Sequence, residues 1–456
     1  MNFVKDVAPQ LSMKVKAGFS VGQIAKQLFR DAPSLLLLYY LANIMGIDPA
    51  IAGASIFVPK VFFGAVFDLL AGVASDKYAL KFPRRHWLLV GAIAAPFAMI
   101  GPFLLPDMSE TMQSIWIFTA FCIYMAVFST FSVPFLAQFA EMTDSKEERT
   151  EMMAWKHAYV GVGLLAGSAG IPVLIHTLGG DRAAYLWSIA LVGIICSVSL
   201  LIAWHFASSI PDKKNAAPPM PFKEMTKIFS DRNFIVLCAA AVVMTVAAGT
   251  GYASFVFFIS YGLERAEPLV QIGMMTTVMG FAVMFASPFW VAVAKVLGKK
   301  GTFVCAAIAH SLVLFTWGTF TNLPPWTDFI FGFLIALFNS GWGLIFLSLL
   351  SDTIASSREN KGENRAGIYS AVWSIIEKAG IAAGGTLIIG LLLSLSGFDA
   401  AAAKQGLEQS QEAITGIIYS FTFIPGAAKV CSALIILFFF AQEKELPETG
   451  GEVENV

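Results

Sequence analysis

Inside the long apolar stretches of this 456-residue chain stand the cations Lys26, Arg30, Lys60, Lys378 and Lys429 and, chiefly, the acids Asp31, Asp68 and Glu377. A charge near the centre of a bilayer costs a few kcal/mol, so groups retained there are expected to bind a polar solute or to pass an ion. A carboxylate such as Asp68 can take up and release a proton as its surroundings change. Lys26, Arg30 and Lys378 can grip a solute through charge-assisted hydrogen bonds. Gln23, Gln27, Arg30 and Ser34 recur at helical spacing and share one face, with Lys26 and Arg30 one turn apart and Asp31 beside them. Trp342 and Trp373 offer rings on which a sugar could stack, although tryptophan in an apolar helix more often serves for packing. Lys429 is expected to pack or snorkel, and His310 to be a hydrogen-bonded interior histidine.

Other chemistries find no footing. There is no GxxxxGK[ST] phosphate loop, HExxH, GxSxG, or GxGxxG opening a helix after a strand. An ATP-driven pump or membrane hydrolase would usually show one of these, so an ion gradient or the solute's own gradient is the expected source of energy. The five cysteines, Cys122, Cys196, Cys238, Cys305 and Cys431, lie singly in apolar runs without metal-site spacing.

The elements that must position these residues are membrane helices. Only 13% of the chain is charged and 57% is hydrophobic, against about 25% charged in soluble domains. Apolar runs long enough to cross ~30 Å of hydrocarbon lie near 19–45, 51–75, 87–106, 113–139, 157–179 and 183–208, then near 233–262, 269–296, 302–321, 327–351, 367–396 and 412–441. The polar, proline-bearing stretch 209–232 separates six runs from six, the pattern of two pseudo-equivalent halves. The expected organisation is an N-terminal half 1–208, a linker 209–232, a C-terminal half 233–441 and a tail 442–456. The first twenty residues lack an apolar signal core, so the first helix is expected to direct insertion. Of 30 Lys and Arg, 22 fall in the N-terminus, the even-numbered loops and the tail, and three (Arg182, Arg265, Lys404) in the odd-numbered loops. By the positive-inside rule both termini are expected in the cytoplasm.

Two sets of residues carry a family resemblance. In FFGAVFDLLAGVASDKYALKFPRRHW (62–87), Gly72-x-x-x-Asp76 with Lys77, Arg84 and Arg85 resembles the loop between helices two and three of the major facilitator superfamily, a clamp between conformations. The second set runs in order through Tyr39-Tyr40, Gly46-Ile47, Asp68-x-x-x-Gly72, Val133-Pro134-Phe135 and Arg149-Thr150. It continues through Arg232-Asn233-Phe234, Phe258-x-x-Tyr261, Asp352, Arg365-x-Gly367-x-Tyr369, Lys378-x-Gly380 and Gly397-Phe398. Over about 18–400 this resembles the melibiose permease-like glycoside–pentoside–hexuronide:cation symporter family of that superfamily.

The resemblance implies an all-α fold of twelve transmembrane helices in two six-helix halves around a central cavity. It implies secondary transport of a sugar or acidic sugar derivative by alternating access. The family's three-acid sodium site maps to Gly64, Asp68 and Ser132, so one carboxylate remains, with Ser129 and Ser132 as neighbouring hydroxyls. That set favours H⁺ over Na⁺ as coupling ion, with no organic cofactor and no metal. The family's sugar-binding Asp maps to Gln27, beside Lys26, and an expected arginine after the helix 4–5 loop maps to Lys156. Lys26, Gln27, Arg30, Asp31, Lys156, Trp342, Trp373 and Lys378 are the expected substrate contacts, and their cation excess leans toward an anionic solute. The expected partners are a small-molecule solute and the lipid bilayer of the plasma (inner) membrane, with no nucleic acid, for a monomer that is not an enzyme. An amphiphile or lysolipid carrier of the same fold is the alternative, and a non-transporting receptor a further one. Gly163-x-x-x-Gly167 and Gly380-x-x-x-Gly384 are expected to be close helix contacts.

Overall fold

The computed structural model describes residues 11–78, 81–142, 146–208, 231–361 and 366–441. The N-terminal half begins with a short helix, Met13–Ser20, leading into α1 (Gly22–Tyr39, then a π turn Tyr40–Ile44). Next come α2 (Pro49–Val58, π turn Pro59–Phe63, Gly64–Lys77), α3 (Arg84–Ile100) and α4 (Glu110–Glu141). The half closes with α5 (Lys146–Leu164, π turn Leu165–Gly170, Ile171–Thr177) and α6 (Arg182–Ala207). The C-terminal half opens with α7 (Arg232–Phe257, π turn Phe258–Gly262). The continuous 52-residue helix Pro268–Thr319 contains Gly298 at φ 69°. At 1.5 Å per residue it would run about 78 Å, far beyond a bilayer. The positive φ, open to glycine without a Cβ clash, breaks it into α8 (268–297) and α9 (299–319). Last come α10 (Thr327–Lys361), α11 (Ala366–Ala382, π turn Ala383–Ile388, Ile389–Leu395) and α12 (Gln411–Phe421 with Phe423–Phe439).

Among the described residues, nine helices are long and apolar enough to span by those criteria alone. Splitting Pro268–Thr319 makes ten. The remaining two are α3, whose 17 residues make about 26 Å, and α1, whose charges Lys26, Arg30 and Asp31 dilute its apolar character. All twelve expected spans are therefore present. The expected linker 209–232, apart from Asp231 and Arg232, and the tail 442–456 lie outside the described residues.

Two pseudo-equivalent halves are visible in the helix irregularities. The π turn ending α1 is matched by the one ending α7, and the π turn within α5 by the one within α11. The glycine motifs behave as expected and also pair. A Cβ on Gly163 of α5 would come within 2.7 Å of Gln27 Cβ on α1, and one on Gly384 of α11 within 2.8 Å of Thr250 N on α7.

Contacts between the halves are concentrated from mid-span to the end remote from the linker, here the far end. Tyr39 of α1 lies 3.2 Å from Ser260 Oγ of α7, and Tyr261 Oη donates to Asn43 Oδ1. Ser394 Oγ of α11 donates to Asp48 Oδ2 at 2.9 Å and accepts from Ala50 N at 3.0 Å. Gly390 of α11 packs on α2, and a Cβ there would meet the Pro49 carbonyl. Thr276 of α8 donates to Ser168 O of α5 at 3.0 Å. At the helix ends on the linker side the described ion pairs Lys16–Glu151 at 2.8 Å and Lys299–Asp352 at 2.6 Å each stay within a half, and Lys378–Asp68, deeper in the span, crosses between the halves at 3.0 Å. On this side, Arg30 and Lys378 mark an accessible space between the halves, with 65% and 68% of their side chains exposed.

Candidate functional site

The charged side chains gather in that space because α1, α2, α5, α7 and α11 bring them there. On α1, the 3.6-residue period stacks Gln27 and Asp31 one turn apart. Gln27 Nε2 donates to Asp31 Oδ2 at 2.6 Å, and Arg30 Nε donates to Asp31 Oδ1 at 2.9 Å. Asp31 is buried, with 7% of its side chain exposed, whereas 65% of the Arg30 side chain is exposed. A buried carboxylate needs such partners, because burying it alone would cost several kcal/mol. Gln27 thus orients Asp31, and Asp31 orients the Arg30 guanidinium toward the cavity.

Asp68 of α2 is bound from two sides. Ser129 Oγ of α4 donates to Asp68 Oδ1 at 2.7 Å, and Lys378 Nζ of α11 lies 3.0 Å from Asp68 Oδ2. The ion pair joins the two halves. Among the described residues it is the cross-half ion pair on the linker side of the molecule, and it is only partly sheltered, with 26% of Asp68 and 68% of Lys378 exposed. Ser132, buried one turn further along α4, makes no hydrogen bond to Asp68. Lys26 stands within electrostatic reach of Lys156, Lys378, Arg30 and Asp68, and Arg30 within reach of Tyr252 and Glu377. Lys26, Arg30, Asp31, Asp68, Lys156, Glu377 and Lys378 therefore share one electrostatic environment, with more cations than carboxylates.

Two of the expected contacts are not brought there. Trp373 is 8% exposed and packs edge-on against Phe346 at 4.8 Å in the core of the C-terminal half. Trp342 donates its indole N–H to His310 Nδ1 at 3.3 Å, and its ring lies 5.9 Å from Lys429 Nζ. It ties α9, α10 and α12 together, and His310 is the interior hydrogen-bonded histidine expected from the sequence. The expected clamp residues lie on α2 and at the head of α3. Gly72 faces Val133 of α4, within its own half, Arg84 is buried at the head of α3 and Arg85 half-buried, and the Asp76 side chain lies outside the described residues.

Sequence reasoning missed Tyr252. Its hydroxyl lies 2.9 Å from Ser168 Oγ of α5 and within reach of Asp31 and Arg30, so it spans the halves at the level of the charges. The signal was a tyrosine directly after Gly249-Thr250-Gly251, a polar break in an apolar span. Among the described residues no group of three or more His, Cys, Asp or Glu is arranged to hold a metal ion. The arrangement suits binding a polar solute between the halves.

Comparison with known proteins agrees with this architecture. A family model described as MFS/sugar transport protein matches residues 18–442. The chain is 22% identical to the uncharacterized symporter YnaJ of Bacillus subtilis (strain 168), covering 98% of this chain and 96% of that one. It is 23% identical to the glucuronide carrier protein homolog of Escherichia coli (strain K12), with the same coverage. The fold also matches the crystal structure of a D-xylose–proton symporter, with a TM-score of 0.65 at 13% identity, over 94% of this chain and 98% of that chain. With twelve spans in two halves and charges gathered between them, the chain is a membrane transporter and not an enzyme, and it belongs to the MFS/sugar transport family, the glycoside–pentoside–hexuronide:cation symporters of the major facilitator superfamily.

Proposed function

We propose that the protein is a proton-coupled symporter of a sugar or acidic sugar derivative, with both termini in the cytoplasm. The observation that carries this reading is the position of Asp68, a single carboxylate held by Ser129 in one half and Lys378 in the other. A proton on Asp68 cancels its attraction for Lys378, which weakens the tie between the halves and frees the ammonium to meet solute. One carboxylate with one hydroxyl is a poor cage for Na⁺, which needs several oxygen ligands, whereas a proton needs one. The cation distribution, 22 of 30 on the linker side, supports a cytoplasmic position for that side. The far-end contacts then make this an inward-facing state, and rocking of the halves about the central charges gives alternating access. The similarity to a glucuronide carrier homolog supports a sugar-type solute, and the cation-rich cavity supports an acidic one.

Proteoliposomes loaded against a pH gradient test the reading, with methyl β-D-glucuronide as solute. Wild-type protein should accumulate it uphill, and Na⁺ at fixed pH should add nothing. Asp68→Asn, which mimics the protonated form, should abolish accumulation while binding measured by thermal shift remains. Should Asp68→Asn still concentrate solute, or Na⁺ alone drive uptake, the coupling assignment fails.

A further inference from the structure

Lys60 is a central charge for which the coupling scheme supplies no task. It lies in the π turn Pro59–Phe63 of α2, the one of the five described π turns with no counterpart in the other half. The irregularity has a local cause. Pro59 cannot donate a backbone N–H to the carbonyl four residues earlier, and a π turn absorbs the lost bond by widening the helix for one turn. Widening changes which way the following side chains face. Phe62 and Phe63 are 60% and 39% exposed on the outer surface, while Lys60 reaches α1 and donates to Ser34 Oγ at 3.1 Å.

Ser34 Oγ donates in turn to Arg30 O at 2.7 Å, so its lone pairs face Lys60 and its proton is spent on the helix. Arg30 engages Asp31 through Nε alone, and its two Nη groups have no hydrogen bond among the described residues. Both Asp31 oxygens are committed, one to Arg30 and one to Gln27. Lys60 and Arg30 influence each other electrostatically, and Lys60 has no carboxylate contact among the described residues. Two cations thus converge on one face of the cavity with a single carboxylate whose oxygens are already taken. Their mutual repulsion is unfavourable in a low-dielectric setting, and an anion placed between them relieves it.

We propose that Arg30 and Lys60, the latter steadied by Ser34, form an oxyanion subsite of the cavity, which takes a carboxylate or sulfonate carried by the solute. The subsite rests on the transport reading for its solute and on the α1–α2 geometry for its place. It separates two tasks among the cations: Lys378 answers to Asp68 and coupling, and the Arg30–Lys60 pair selects the charged solute.

The test uses the full-length protein with its five cysteines replaced and Ser34→Cys introduced. The labelling rate by the anionic 2-sulfonatoethyl methanethiosulfonate is compared with that by the cationic trimethylammonioethyl reagent. The anionic reagent should react about tenfold faster, the low end of electrostatic focusing in a charged cleft. Adding Lys60→Gln or Arg30→Gln should bring the ratio toward one. A ratio at or below one, or one that Lys60→Gln leaves unchanged, overturns the subsite. A second measurement needs no cysteine: Kd for methyl β-D-glucuronide and for methyl β-D-glucoside, on the native chain and on Lys60→Gln. The native chain should prefer the glucuronide by about tenfold, as expected for one lost charge-assisted hydrogen bond, and Lys60→Gln should bind the two alike. A native chain that binds the glucoside as well as the glucuronide overturns the subsite. If neither sugar binds while the labelling ratio holds, the sugar reading falls and the oxyanion subsite stands.

Discussion

Two ion pairs in this molecule are built from the same kinds of group and do opposite things. At the far end of the C-terminal half, Arg265 meets Asp328 through two contacts of 2.8 and 3.0 Å, with 13% and 0% of the side chains exposed. Gln271 adds a bond of 3.0 Å to the same carboxylate, and Arg265 also reaches Leu323 O at 3.0 Å. In the cavity, Lys378 meets Asp68 through one contact of 3.0 Å, half in solvent, and the pair joins two bodies instead of bracing one. The first is a bidentate arginine clamp whose geometry is fixed by the planar guanidinium. The second uses a lysine, a point charge on a flexible stem that can let go. A transporter needs both: rigid halves, and a weak tie between them that can be displaced.

The largest effect is expected at the Arg265–Asp328 clamp. Asp328→Ala leaves the Arg265 guanidinium buried without its counter-charge, and a broken buried pair costs about 3–5 kcal/mol. Thermal unfolding in detergent should show the loss. The protein that remains folded should keep its pH-driven uptake, because the clamp lies wholly within one half. An unfolding midpoint equal to wild type would mean that the pair contributes nothing net.

A smaller effect is expected where the halves touch by shape. Gly390 packs so closely on α2 that an added Cβ would sit 3.1 Å from the Pro49 carbonyl carbon and 3.3 Å from Ala50 Cα. Backbone cannot swing aside as a side chain can, so Gly390→Val overpacks the far-end seal by about 1–3 kcal/mol. The cost falls on the far-end-closed state. A cysteine at Asn43 should become accessible from the far side, by roughly tenfold or more for each 1.4 kcal/mol. Unchanged accessibility would show that the seal does not depend on the α2–α11 contact.

Much of this was legible in the sequence because the bilayer imposes simple rules. Twelve spans could be read because a run of about 20 apolar residues has few other uses, and Asp68, Arg30 and Lys378 stood out because charge is costly there. What was hidden depends on which helix faces which. That Lys378 meets Asp68 follows from α11 lying against α2, 310 positions apart in sequence. Trp342 and Trp373 carried no sign of direction, since an indole in an apolar helix is at home in a cavity wall or a core. The odd-loop cations, informative for topology, are fixing groups in the fold: Arg182 reaches Asp107 at 3.5 Å, Arg265 clamps Asp328, and Lys404 covers Gly46. The π turn at Pro59 left only a proline as its sequence trace, so the reach of Lys60 toward Ser34 could not be foreseen.

The smallest stability effect belongs to the pair with the largest functional weight. Lys378→Gln removes one ammonium that is 68% exposed and held by a single contact. Exposed pairs of this kind contribute about 0–1 kcal/mol, since solvent screens the attraction and ordering a long side chain offsets it. The unfolding midpoint should therefore stay near that of wild type, in contrast to Asp328→Ala. Asp68 would keep its bond from Ser129 and lose its partner in the other half, so its charge would no longer govern how the halves meet. Uphill accumulation should fall to the level of Asp68→Asn, and the double variant should be no worse than either single one, because both remove the same contact. If Lys378→Gln destabilises the protein as much as Asp328→Ala, the cavity pair is a brace like the clamp. If the double variant is worse than both singles, Lys378 acts on solute independently of Asp68, and the division of labour among the cavity cations must be redrawn.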